Sequence, residues 1–262
     1  MARIHATAIV DAGAQLGEDV EVAAYALIGP AVRIDEGSRI GPHCVIEGHT
    51  TIGRNNRIAQ ACSIGTPPQD KKYAGEPTCL EIGHGNTIRE FCTINLGTAQ
   101  DAGVTRIGDD NWIMAYVHIA HDCQVGSHTI LANLSQLAGH VQLGDWVVVG
   151  GMSGLHQFVR VGAHAMIGFQ TRLSQDLPPF VTVAGNPGEA QGINAEGLRR
   201  RGFDAERIDV IKQMHRLLYR RSLTLAEATQ QIGELPDAKT TSAADVALML
   251  DFLAQAQRGI VR

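Results

Sequence analysis

The sequence predicts an all-β left-handed parallel β-helix, a hexapeptide-repeat solenoid, with a C-terminal α-helical domain behind it. Three observations carry that prediction. An aliphatic residue recurs at every sixth position through most of the chain. A small residue follows four positions after almost every one of them. From about Asn194 both signals give way to helical spacing.

The aliphatic series opens Ile4, Val10, Leu16, Val22, Ile28 and runs in phase to Ile64. It resumes at Ile82, Ile88 and Ile94, slips by one residue, and continues from Ile107 to Leu173. All 26 positions are Ile, Leu or Val, and glycine directly follows 12 of them, as at Gly17, Gly41, Gly126 and Gly168. A six-residue period matches neither a helix nor an alternating strand. It fits a solenoid in which each hexad is one short strand plus one corner, and three hexads close a triangular coil. The aliphatics then fill the prism, and the glycines are expected to supply the unusual backbone angles of the corners. The small slot reads Ala8, Ala14, Val20, Ala26, Val32, Ser38, Cys44, Thr50, then Cys62, Cys92, Val117, Cys123, Thr129, Ser135 and Val141. Four of the five cysteines stand in it, which predicts buried, reduced, unreactive thiols.

Two polar segments interrupt the repeat, 66–81 (TPPQDKKYAGEPTCLE) and 96–106 (LGTAQDAGVTR), and both are expected to loop out of the prism. The solenoid is thus assigned to 1–193 and the helical domain to 194–262. Within the latter, Asp204 caps a run with Ile208, Ile211, Met214, Leu217 and Leu218; further helices are expected from Thr224 and from Ser242 to about Gln257.

Composition agrees with a narrow aliphatic core full of turns: 44% apolar residues, 5% aromatics and 29 glycines in 262 residues. The net charge of −5 gives no support to nucleic-acid binding. No apolar run is long enough to span a membrane, and the first residues do not read as a signal peptide, so a cytoplasmic protein is expected. No CxxC spacing supports a zinc ribbon or a redox dithiol.

Residues 18 apart should stack at about 4.8 Å, one coil above the next. That rule puts Gly139 over His121, His140 over Asp122, and Gln157 and Phe158 one coil further, beside His156. Histidine, carboxylate and a glycine without a side chain thus meet on one edge. The functional reading is general-base catalysis, with His121 as base, Asp122 fixing its tautomer, and the Gly139 N–H facing an oxyanion. The bland reading is a row of surface histidines at solenoid corners. A serine nucleophile is unsupported, since no GxSxG occurs. A second feature is basic: eight Lys and Arg lie between Arg199 and Arg221, against only Asp204, Glu206 and Asp209. They form either a solvated helical face or an attractor of acidic or phosphorylated partners.

The hexad array, QDKKYAGEPT, HIAHDC, LAGH, HQF and NAEGLRRRGF, in this order along the whole chain, resemble the UDP-N-acetylglucosamine O-acyltransferases of lipid A biosynthesis. The resemblance implies a homotrimer with sites between subunits and no metal or resident cofactor, the phosphopantetheine arriving on acyl carrier protein. It implies transfer of a (3R)-3-hydroxyacyl chain to the 3-hydroxyl of UDP-N-acetylglucosamine. By motif, His121, Asp122 and Gly139 match the catalytic positions. Asp70, Lys72, His118, His140, His156 and Gln157 match substrate-binding ones, and Asn194, Glu196, Arg200 and Arg201 the nucleotide- and carrier-contacting segment. Phe169, in the ladder Ala115, Asn133, Gly151, Phe169, stands where the resemblance places an acyl-chain ruler. Bulk there implies a shorter chain. Where the family usually reads histidine then arginine, this chain has Asn95-Leu96, which removes positive charge near the second loop.

Other classes remain open on the residues alone. A γ-class carbonic anhydrase is also a trimeric left-handed β-helix, with zinc held by histidines, but is shorter and lacks these motifs. A non-catalytic scaffold would leave the His-Asp cluster unexplained. The related N-acyltransferase would need an additional N-terminal uridine-binding domain, for which hexads starting at Ile4 leave no room.

Overall fold

Strands of only two residues, such as Arg3–Ile4, Ile9–Val10 and Gln15–Leu16, have no stability of their own and form because each is clamped by the coils on either side. In the computed structural model, which describes residues 1–236, 242–256 and 259–262, they build three parallel faces. The first face has 11 strands beginning at Arg3–Ile4, the last of them antiparallel, the second nine beginning at Ile9–Val10, and the third eight beginning at Gln15–Leu16. Arg3 pairs with Glu21 and Ile4 with Val22, the expected 18-residue coil. Register survives both loops: Ser63 still pairs with Thr93, and Cys79 with Val104.

The repeated aliphatics point inward. From Val22 onward every one is buried, with Ile46, Ile64, Ile94, Ile119 and Leu137 fully so. Each contributes about 1.5–3 kcal/mol. The second interior slot is as dry, and several of its polar members find carbonyls in the next coil. Cys44 Sγ donates to Ala59 O at 2.9 Å, Cys123 Sγ to Ala138 O at 3.2 Å, and Ser153 Oγ to Gly168 O at 2.8 Å. Burial holds the Cys123 thiol up at about 12, so it stays an inert filler. Three members of this series escape the small-residue rule. Asn56, Asn86 and Asn111 are fully enclosed and form a ladder in which each Oδ1 accepts the backbone N–H of the next, at 2.9 Å both times. Thr129 N and Oγ1 end it on Asn111 Oδ1 at 2.7 Å.

The corners correct the expected role of glycine. The left-handed residue is the third after each aliphatic, and it is almost never glycine: Tyr25, His43, Asn55, Phe91, Tyr116, Asp122, His140, Trp146 and Phe158 all have φ near +60°. That conformation costs about 1–2 kcal/mol per non-glycine residue. Nearly every corner recovers it by a bond to the coil below, such as Asn55 N to Glu36 O at 3.0 Å. The glycines directly after the aliphatics are needed for close approach instead. A Cβ on Gly41 would sit 2.6 Å from the Ala59 carbonyl carbon, and one on Gly126 2.5 Å from Asp145 Oδ1.

The loops are shorter than expected. Thr66 closes the strand Ser63–Thr66, while Cys79–Glu81 and Val104–Arg106 belong to the strands Cys79–Ile82 and Val104–Ile107. Leu80 and Thr105 extend those strands because they stack in the buried slot above Thr50. The chain leaves the prism only over 67–78 and 96–103. Asn95 and Leu96 serve that geometry: Asn95 Nδ2 donates to Thr66 Oγ1 at 2.9 Å, and Leu96 is buried beside Gly48.

The parallel stack ends at Val181–Ala184, which pairs antiparallel with Glu189–Ile193. Then come four helices: α1 Ala195–Arg200, α2 Ala205–Tyr219, α3 Leu225–Gly233 and α4 Ala243–Ala254. Asp204 caps α2 by accepting from Arg207 N at 2.8 Å, and Thr224 with Glu227 makes a capping box on α3. Ser242 precedes α4 without a side-chain cap bond; the expected end near Gln257 lies outside the described residues. Phe180 roots the helices through a cluster with Leu198, Ile211, Met214 and Phe252. The C-terminus returns to the prism, where Val261 N donates to Asp176 O at 2.9 Å and its side chain plugs the core.

The asparagine ladder yields a stability test. Asn86→Ala would orphan the buried Asn111 N–H, costing about 1–3 kcal/mol. A lowered unfolding midpoint by calorimetry is expected; an unchanged one would show that the ladder adds nothing.

Candidate active site

The corner leading from the second face to the third carries the histidine cluster. The strand His118–Ile119 buries Ile119, Cys123 re-enters the core, and the turn between them presents His121 and Asp122. Asp122 takes the left-handed position, one an aspartate tolerates, and its amide donates to Thr105 Oγ1 at 2.8 Å. Its side chain is 1% exposed, a burial that would be costly for an unpaired carboxylate. It has three donors: Thr98 N at 2.9 Å, Thr98 Oγ1 at 2.6 Å and His121 Nδ1 at 2.9 Å. Burial pushes the acid toward its neutral form, but the bonds from His121 and Thr98 prevail and hold it below the ordinary carboxylate range.

With Nδ1–H committed to Asp122, His121 carries its lone pair on Nε2. Gly139 lies directly over the ring, where a Cβ would be 2.5 Å from His121 Cε1 and 2.7 Å from Nε2. Among the described residues the Gly139 N–H has no hydrogen-bond partner. His140 stands edge-on to His121 at 5.0 Å, stacks on Phe158 at 4.2 Å, and meets Asp101 Oδ2 through Nδ1 at 2.6 Å. His118 meets Thr93 Oγ1 at 2.7 Å; burial, and next the neighbouring His121, lower its pKa and keep it neutral. His156 and Gln157 lie exposed on the same edge, one coil on, with His156 Nδ1 donating to Gln157 O at 3.1 Å.

The structure brings His118, His121, Asp122, Gly139, His140, His156 and Gln157 to this edge, as the 18-residue rule requires. It does not bring the other candidates there. Asp70 and Lys72 lie on the 67–78 loop, where Asp70 Oδ1 accepts from Lys72 N at 2.9 Å, and neither bonds to the cluster. Asn194 and Arg201 sit at the corner between the third and first faces. Asn194 Nδ2 donates to His164 O at 3.0 Å, and Arg201 lies over the Trp146 ring at 5.3 Å. Burial, and next Arg201, hold His164 down at about 4. The ruler ladder occupies the remaining corner, between the first and second faces. There Phe169 is 64% exposed, and its ring is 3.6 Å from where a Gly151 Cβ would be.

The basic segment is better neutralised than a count within 199–221 suggests. Glu196 reaches Arg200 at 3.1 Å and Arg199 at 3.5 Å, and Asp245 holds Arg207 through two bonds of 2.8 Å. Sequence reasoning missed Thr98, Asp101 and Thr105. Two of the three lie on the looped-out segment, whose path no repeat dictates. Thr105 lies 17 residues before Asp122, one short of a full coil, and so carried a usable signal.

The stack of hexads places the chain among the hexapeptide-repeat transferases, since residues 105–139 match the family described as bacterial transferase hexapeptide (six repeats). Residues 176–261 match the second domain of UDP N-acetylglucosamine O-acyltransferase. The acyl-[acyl-carrier-protein]–UDP-N-acetylglucosamine O-acyltransferase of Verminephrobacter eiseniae is 62% identical over the full length of both chains, and that of Herminiimonas arsenicoxydans 58%. Among solved structures, LpxA of Acinetobacter baumannii has a TM-score of 0.95 at 44% identity, covering 99% of each chain. The UDP-N-acetylglucosamine acyltransferase of Arabidopsis has a TM-score of 0.83 at 32% identity, covering 99% of this chain and 100% of that one. The chain belongs to the acyl-[acyl-carrier-protein]–UDP-N-acetylglucosamine O-acyltransferase family, and it is an acyltransferase with a left-handed β-helix and a C-terminal helical part. Among the described residues no helix is long and apolar enough to cross a membrane.

The grip on Asp122 can be tested directly. Thr98→Val keeps the backbone donor and removes the hydroxyl, so the Asp122 pKa should rise. Carboxyl carbon NMR titration of the two proteins reads the shift; an unmoved titration would mean that the 2.6 Å bond does not stabilise the anion.

Proposed function

We propose that this enzyme moves a (3R)-3-hydroxyacyl chain from acyl carrier protein to the 3-hydroxyl of UDP-N-acetylglucosamine, the first step of lipid A biosynthesis, with His121 as general base. The observation that carries the mechanism is the relay Thr98–Asp122–His121, which leaves Nε2 as the acceptor beneath Gly139. Nε2 takes the proton of the sugar hydroxyl as its oxygen attacks the thioester carbonyl. Asp122 stabilises the imidazolium, and the unpartnered Gly139 N–H faces the developing oxyanion. The intermediate collapses by releasing the phosphopantetheine thiolate, which receives the proton from Nε2. Every step uses groups of the chain and its two substrates, so no metal and no resident cofactor takes part. His118 and His140 line the cleft as neutral or carboxylate-paired imidazoles.

The substrates named for the relatives fit the division of this chain among three edges. Catalytic groups occupy one corner, Asn194, Glu196, Arg200 and Arg201 another, and the Phe169 ladder the third. We place them together by a homotrimer whose sites lie between subunits, one chain's catalytic corner facing the ladder and the first loop, with Asp70 and Lys72, of the next. Arg200 and Arg201 then meet the nucleotide or the acidic carrier. The setting is the cytoplasm, where acyl carrier protein is found.

His121→Ala should fold and assemble but lose about 10²–10⁴-fold in turnover, and Asp122→Asn should lose less. Near-native transfer by a folded His121→Ala protein would overturn the base assignment.

Phe169 sets the acyl length in this reading. One coil is about 4.8 Å, roughly four methylenes of an extended chain, so a phenyl ring filling a rung favours ten-carbon over fourteen-carbon hydroxyacyl donors. Phe169→Gly should shift the preference upward in a chain-length assay. A wild-type preference for fourteen carbons, or no shift in the variant, would place the ruler elsewhere.

A further inference from the structure

The histidine cluster has a second chemical property. A ring nitrogen of His121, a ring nitrogen of His140 and a carboxylate oxygen of Asp122 lie within 4.8 Å of one another. Asp101, which the transfer mechanism does not use, brings a second carboxylate to His140 from the 96–103 loop. Two imidazoles and two carboxylates suit zinc, which takes four N, S or O ligands in a tetrahedron. We propose that His121, Asp122, His140 and Asp101 form a site for a zinc-class divalent cation, and that filling it stops turnover.

The spacing supports this. Zinc–ligand bonds of about 2.0–2.2 Å put neighbouring ligand atoms of a tetrahedron about 3.4 Å apart. Here His121 Nδ1 and Asp122 Oδ2 are 2.9 Å apart, His140 Nδ1 and Asp101 Oδ2 2.6 Å, and His140 Nδ1 and Asp122 Oδ2 3.9 Å. Each of these three spacings departs from the tetrahedral value by less than 1 Å; His121, Asp122 and His140 already form a mutual group, and the half-exposed Asp101, held by His140, completes the set by turning its side chain inward. Thr98 already fixes the Asp122 carboxylate through both oxygens, the kind of outer-shell support that metal ligands need. The two carboxylates balance the charge of a divalent ion. Entry is open on one side: Asp101 is 48% exposed and borders a cleft lined by His140, Phe158 and Arg160, whereas Asp122 is enclosed.

Occupancy conflicts with catalysis through the tautomer. A cation on His121 Nδ1 replaces the proton now shared with Asp122, and that proton moves to Nε2. Nε2 then has no lone pair for the sugar hydroxyl. This inhibitory half rests on His121 being the base; the binding half does not.

The test uses the full-length protein, stripped with a chelator and titrated with zinc against a chromophoric competitor, with acyl transfer followed in parallel. One zinc per chain is expected, with transfer falling in step with occupancy. Asp101→Asn should weaken zinc binding by about 10–100-fold and move the inhibition curve by the same factor, relative to that variant's own metal-free rate. His140→Ala, checked for folding by circular dichroism, should weaken binding at least as much. Zinc that fails to bind, zinc bound equally well by both variants, or zinc held by these residues with transfer undiminished would each overturn the proposal. A wrong base assignment would show differently, as full transfer by metal-free His121→Ala.

Discussion

The backbone hydrogen bond between stacked coils is the interaction on which everything else in this protein depends. Strands of two residues cannot pair in isolation, and a corner with φ near +60° is unfavourable for histidine, tyrosine or phenylalanine. Both become tolerable because each coil presents a ready row of donors and acceptors to the next. The cost of a corner and the gain of its N–H bond recur together, coil after coil, so stability is close to a sum of neighbour terms. The same stacking aligns side chains in columns. The Asn56–Asn86–Asn111 ladder, the thiols at Cys44, Cys62 and Cys92, and the pairing of His121 beneath Gly139 are three outcomes of one translation along the axis.

A rigid prism explains how a buried carboxylate can be held without a matching full charge. Asp122 is enclosed, yet its hydrogen-bond demand is met by Thr98, His121 and, at its amide, Thr105. Thr98 arrives on a loop, but that loop is anchored at both ends: Gly97 N donates to Cys79 O and Cys79 N to Gly103 O. The loop is therefore an extension of the stack rather than a free excursion. Orientation of the imidazole follows from packing, which is how a site reaches preorganisation without large motions.

The three edges carry different side chains. Corners in one column share their neighbours but are separated from the other columns by the filled prism, so no rotamer change carries Phe169 or Arg201 to His121. The helical layer packs on Phe180 and the last antiparallel pair of strands, and its C-terminal end reaches across the third face to Arg160. A rigid solenoid keeps those edges as fixed ladders of side chains.

The sequence by itself determined the coil, its register, the interior columns and the convergence of His121, Asp122, Gly139 and His140, because a strict translational repeat converts sequence separation directly into position. It also carried the caps at Asp204 and Thr224, which are local interactions. It misplaced the reason for the glycines, since close approach between coils and backbone angle leave the same residue in the same place. It overran the loops, although Leu80 and Thr105 stand two residues before Ile82 and Ile107 and so keep the phase of the small slot. Only the tertiary structure decided what the looped-out residues touch: Thr98 on Asp122 and Asp101 on His140. Periodicity fixes neighbours where the chain repeats, and where it stops repeating, contacts depend on the path through space.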